Sequence, residues 1–98
     1  MTVKKTKNGT ELIAEVEGRI DTVTAPDFEA SVKADLGGVS ELVIDFANVS
    51  YISSAGLRVL LSLQKLMNNQ GNMAVKNVNE TVNEIFSVTG FSEILNIK

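Results

Sequence analysis

The stretch Leu42-Val43-Ile44-Asp45-Phe46-Ala47-Asn48-Val49-Ser50-Tyr51-Ile52-Ser53-Ser54-Ala55-Gly56-Leu57 contains the change of period that decides the fold. Leu42-Val43-Ile44, with Phe46 following, is a near-continuous apolar run, the pattern of a strand buried on both faces. Asp45 interrupts it near its end, and Ala47 to Ile52 reads as a loop. From Gly56 to about Asn69 the pattern is helical. Leu57, Leu60, Leu61, Leu63, Leu66 and Met67 alternate with Arg58, Gln64, Lys65 and Asn68, which gives a wide buried stripe.

Outward from this centre the elements alternate. Downstream, Gly71 ends the helix and Met73–Lys76 is a short strand. Asn79 is placed to cap a last helix with Val82, Ile85 and Phe86 turned inward, and Gly90 closes it. The tail, Phe91 to Lys98, is apolar enough to dock. Upstream, Phe28, Val32 and Leu36 recur every four residues along another helix, which Gly37-Gly38 stops. Thr24 can cap it, Pro26 fits its first turn, and Asp27 lies three residues after the cap. At the N-terminus, Asn8-Gly9 predicts a type I′ hairpin turn between strands at Thr2–Lys7 and Thr10–Glu17. In the second of these, Leu12, Ala14 and Val16 share one face and Ile13, Glu15 and Glu17 the other. The order is β-β-α-β-α-β-α. It predicts one α/β domain over residues 1–98, with an N-terminal hairpin, parallel inner strands and packed helices.

Composition removes whole classes of chemistry. The chain has 98 residues, 44% of them hydrophobic and 21% charged, with no Cys, His or Trp. No disulfide, thiolate metal site or cysteine nucleophile is available. Without His, the commonest general base is missing and a Ser-His-Asp triad is impossible. No cofactor is expected. Nine basic and twelve acidic residues give a net charge of -3. The only basic cluster, Lys4, Lys5 and Lys7, suits protection of a sheet edge better than phosphate binding, so nucleic acid is not an expected partner. No apolar run reaches the roughly 20 residues of a membrane span, and no signal-peptide pattern opens the chain, so a cytoplasmic location is expected.

In open α/β sheets, sites collect beyond the carboxyl ends of the parallel strands. Two segments should meet there, Asp21–Ala25 and Ala47–Ser54. The second ends in adjacent hydroxyls, Ser53 and Ser54, at a helix N-terminus, where free N–H groups and the helix dipole favour an anion. Gly56 costs roughly 1 kcal/mol against Ala in a helix. Its presence asks for a close neighbour, such as another backbone or a phosphate donor. Asp45 reads as structural. Tyr51 reads as a half-buried loop anchor.

The stretch Asp45 to Leu57 resembles the signature of anti-sigma factor antagonists, the STAS domain family. Gly18-Arg19-Ile20-Asp21 and Thr89-Gly90-Phe91 resemble two further landmarks of that family, in the expected order. The resemblance implies a phosphorylation-controlled switch. The unphosphorylated protein would bind an anti-sigma factor that is also a serine kinase and so release a sigma factor. Phosphorylation would end that binding, and a serine phosphatase would restore it. By the Gly56-Leu57 pair, the modified residue would be Ser54, with Ser53 as the alternative. Many relatives carry an acidic residue where this chain has Ser53. The resemblance places the partner surface on Asp21, Thr22, Val23, Thr24, Ser53, Ser54, Ala55, Gly56, Leu57 and Arg58, in a monomer or weak dimer.

Simpler readings stand beside these. One serine can be a plain helix cap, and Asp21 can serve only its own loop amides. Thr22–Thr24 and Arg58 can be solvated surface. A scaffold or sensor module binding a protein or small ligand, without a kinase cycle, fits the same fold. A hydrolase with Ser54 as nucleophile fits poorly, because Ser54-Ala55-Gly56 lacks the first Gly of a Gly-x-Ser-x-Gly elbow and no His is present.

Overall fold

A computed structural model describes residues 1–98. The elements are β1 (Thr2–Asn8), β2 (Glu11–Ile20), α1 (Ala25–Lys33), β3 (Glu41–Ile52), α2 (Ser54–Asn68), β4 (Asn72–Lys76), α3 (Glu80–Thr89) and a 3-10 turn at Phe91–Glu93. The sheet order is β1-β2-β3-β4. β1 runs antiparallel to β2, and the pairs β2–β3 and β3–β4 are parallel. The expected mixed sheet with an N-terminal hairpin is present.

The hairpin turn differs in type. Asn8 pairs with Glu11, so the two-residue loop is Gly9-Thr10 rather than Asn8-Gly9. Only its first residue, Gly9, has positive φ (61°), the pattern of a type II′ turn. Lys5 does more than guard an edge. Its ammonium pairs with Asp35 at 2.7 Å and donates to the Ser31 carbonyl at 2.8 Å, tying β1 to the end of α1.

The sheet is covered on one face only. Leu12, Ala14 and Val16 of β2 and Leu42, Ile44 and Phe46 of β3 are buried, and they join side chains from all three helices in one cluster of 24 residues. Phe46 meets Phe86 of α3 with ring centroids 6.3 Å apart. The opposite face carries a row in register, Lys4–Glu15–Asp45–Lys76, with Lys4 and Glu15 exposed. The expectation that β3 is buried on both faces is therefore wrong. Crossovers of one hand that step in one direction (β2 to β3 to β4) carry their helices to the same side. Val43, on the far face, stays partly exposed.

β3 is also longer than expected. Ala47–Ile52 continues the strand instead of forming a loop, pairing with β2 through to Ile20↔Ile52. Two register shifts absorb the extra residues of β3. At the first, the Asp45 carboxylate accepts the Ala47 N–H at 2.9 Å and the Asn77 side-chain amide at 3.0 Å. Beyond the end of β4, the edge of β3 is covered from α3. Asn79 accepts the Val82 N–H at 2.8 Å as a helix cap and donates to the Val49 carbonyl at 2.8 Å. Gly90 closes α3 in the left-handed conformation, φ 81°. The C-terminal tail docks against β4, with Leu95 buried and Ile97 bridged to Val75.

Candidate functional site

The ends of β2 and β3 are joined directly. Ile20 pairs with Ile52, and the Ser53 N–H donates to the Ile20 carbonyl at 2.8 Å. This bond brings the segment after β2 and the N-terminus of α2 to one edge of the sheet. One residue earlier, Arg19 pairs with Tyr51 and sets its guanidinium 4.6 Å from the Tyr51 ring centre. Tyr51 is thus a strand residue with a cation on its ring, not a loop anchor.

The turn into α1 is organised by Asp21 rather than by Thr24. Thr24 occupies the N-cap position, but its side chain makes no capping bond. Its hydroxyl donates to the Arg19 carbonyl at 2.8 Å and accepts the Asp21 N–H at 2.9 Å. The Asp21 carboxylate instead accepts the N–H groups of Val23 (3.0 Å) and Thr24 (3.1 Å). The Thr24 N–H leads, with Val23, the Thr24 hydroxyl and the Arg19 charge adding, and together they outweigh desolvation. They hold the Asp21 carboxyl below its ordinary value and so ionised. With these bonds inside its own turn, Asp21 keeps the loop in shape.

At the start of α2 the two serines have opposite surroundings. Ser53 is the N-cap residue with extended backbone (φ -94°, ψ 176°), but its side chain makes no capping bond. Its Oγ is buried and has no hydrogen-bond partner. Ser54, the first helical residue, is exposed. The N–H groups of Ser54, Ala55 and Gly56 precede the first helical bond, from Leu57 N–H to the Ser53 carbonyl at 3.0 Å. An anion on Ser54 would sit beside free donors.

Gly56 is required by packing. A Cβ there would lie 2.6 Å from Ile52 Cγ1 and 2.7 Å from Ile20 Cγ2. The close neighbours are therefore apolar side chains, not the backbone or phosphate donor considered from the sequence. Gly56 lets α2 descend onto the joined ends of β2 and β3, which sets the height of Ser54 above the sheet.

Of the ten residues assigned to the partner surface, Thr22, Val23, Ser54 and Arg58 are exposed, and Asp21, Thr24, Ser53 and Ala55 are half-buried. Val23 stands out, with 82% of its surface exposed. Gly56 and Leu57 are buried and present no side chain outward. They shape the surface from beneath. Between α1 and α2 runs an open groove of about 260 Å³, with Thr22, Ala25, Pro26 and Glu29 on one side and Ala55, Arg58 and Val59 on the other. Glu29 carries no mark in the sequence, and Pro26 is marked there only as a first-turn residue. Their spacing of three on α1 puts them on one helical face, a signal that becomes useful only once α2 is known to lie alongside.

The profile of the STAS domain family matches residues 2–98. This chain belongs to the STAS domain family. Among relatives of this STAS domain, BtrV of Bordetella bronchiseptica is 35% identical over 85 residues, covering 85% of this chain and 73% of that protein. The anti-sigma-B factor antagonist of Staphylococcus epidermidis is 30% identical over 84 residues, covering 84% of this chain and 78% of that protein. The Bacillus protein SpoIIAA, solved in unphosphorylated and phosphorylated forms, shares the fold with TM-scores of 0.84 and 0.76. Its identity is 15%, over 99% of this chain and 88% and 91% of those chains. No helix of this STAS domain is long and apolar enough to cross a membrane.

Proposed function

We propose that this STAS domain is an anti-sigma factor antagonist, a binding protein rather than an enzyme, switched by phosphorylation of Ser54. Unphosphorylated, it binds a cytoplasmic anti-sigma factor with serine-kinase activity through the Asp21–Thr24 turn and the exposed face of α2. The sigma factor is then released. The kinase modifies Ser54, and a serine phosphatase removes the phosphate.

The observation that carries this reading is the contrast between the two serines. Ser54 offers an exposed hydroxyl at a helix N-terminus, whereas the Ser53 hydroxyl is buried. A kinase must reach the oxygen it modifies, so Ser54 is the acceptor. The relative named as an anti-sigma-B factor antagonist supports the partner class. A phosphate adds roughly -1.5 to -2 charge at neutral pH. At a helix N-terminus the fold tolerates it, while a partner docked against the uncharged Ser54 hydroxyl does not. Repulsion and desolvation at the interface then suffice, without a large change of shape.

The test is incubation with ATP and a candidate anti-sigma factor of the serine-kinase class, followed by intact mass. Wild type and Ser53→Ala each gain one phosphate, and Ser54→Ala gains none. No phosphate on wild type, or phosphate retained on Ser54→Ala, contradicts the assignment.

A further inference from the structure

Arg58 lies four residues after Ser54 on α2, so the two share one helical face. Side chains on a helix lean toward its N-terminus, and a residue therefore covers the turn before its own Cα. For Arg58 that is the turn that begins at Ser54.

The guanidinium has no other engagement. The protein's ion pairs are Lys5–Asp35, Lys33–Glu29 and Lys76–Asp45, and Arg58 takes part in none. Glu29, the carboxylate that shares the groove with Arg58, is held by Lys33 at 2.9 Å. The first turn of α2 carries no acidic residue. A phosphate on Ser54 would be the first anion on that turn.

We propose that Arg58 holds the phosphate of modified Ser54 in cis. This rests on Ser54 being the acceptor. A guanidinium presents a planar fork of N–H donors that matches two phosphate oxygens, and the nearby free N–H groups of α2 can take the third. The pairing also withdraws the only cationic side chain from the groove between α1 and α2. Phosphorylation then changes the partner surface in two ways: it adds an anion at Ser54 and removes a cation from the groove. A partner carboxylate that reads Arg58 before modification loses its contact afterwards.

The test needs neither kinase nor partner. Phosphoserine is encoded at position 54, and the phosphate is titrated by phosphorus NMR in the wild-type, Arg58→Lys and Arg58→Gln backgrounds. An adjacent cation favours the dianion, so the second ionisation should rise by about 0.3 unit or more in Arg58→Gln. Arg58→Lys should recover part of the difference, because it keeps the charge and loses the fork. Circular dichroism checks that the exposed substitutions leave the fold intact. Equal titrations in all three overturn the pairing. That result leaves Ser54 as acceptor untouched, since the kinase assay decides that separately.

Discussion

Ser53 and Ser54 are neighbours in the chain, but the Ser53 hydroxyl is buried without a hydrogen-bond partner while Ser54 faces solvent. The difference follows from the bond between Ser53 N–H and the Ile20 carbonyl. It pins Ser53 against the sheet and leaves Ser54 as the first residue to emerge on the helix.

An unpartnered buried hydroxyl costs about 1–3 kcal/mol, and the capping benefit that usually justifies Ser at this position is not realised. Ser53→Ala should therefore leave stability unchanged or raise it by about 1 kcal/mol in urea unfolding. A loss of that size would mean that the hydroxyl caps α2 after all.

Gly56→Ala adds a methyl group within 2.7 Å of both Ile52 and Ile20. Overpacking of this kind costs about 1–3 kcal/mol, against a helix-propensity gain of roughly 1 kcal/mol. A net loss of up to about 2 kcal/mol is expected in urea unfolding. A stabilised variant would show that α2 can lift freely from the sheet.

Asn79→Ala removes both the cap on Val82 N–H and the donor to the Val49 carbonyl. Loss of such a cap costs about 1–2 kcal/mol. Amide exchange should also quicken at the start of α3 and along the β3 edge. Wild-type exchange in the variant would remove Asn79 from that role.

Asp21 is stabilised in its ionised form, first by the Thr24 N–H. A depressed folded-state value means that the stabilising contribution is present above the unfolded value. It is lost as pH falls through the folded one. Carbon NMR should place the Asp21 titration below 3.8, the ordinary value for this group. Asp21→Asn should make the acid-side fall in stability shallower. A titration at or above the ordinary value contradicts the turn geometry.

Much of this architecture is legible in the residues. Gly90 and Asn79 mark their helix ends by chemistry that works locally, and the four-residue spacing of Phe28 and Val32 identifies α1's buried face. Elsewhere the outcome depends on distant partners. Ala47–Ile52 looks like a loop because its apolar alternation is broken, yet two register shifts, the first held by Asp45 and Asn77, keep it in the sheet. Thr24 looks like the cap of α1, but the Arg19 carbonyl takes its hydroxyl and Asp21 takes the amides. Single-face burial of β3 depends on the direction in which the strands add, which the apolar run Leu42-Val43-Ile44 does not encode. At the site, both serines are visible in the sequence. Their opposite burial is not, because it arises from the contact with Ile20.

Ser54 is the residue on which the proposed switch turns. The most direct measurement is the affinity of the unmodified protein for the proposed anti-sigma kinase partner, compared with protein carrying encoded phosphoserine at position 54. Under the proposed switch, binding weakens by at least tenfold, about 1.4 kcal/mol, with the fold unchanged by circular dichroism. Equal affinity of the two forms would contradict it.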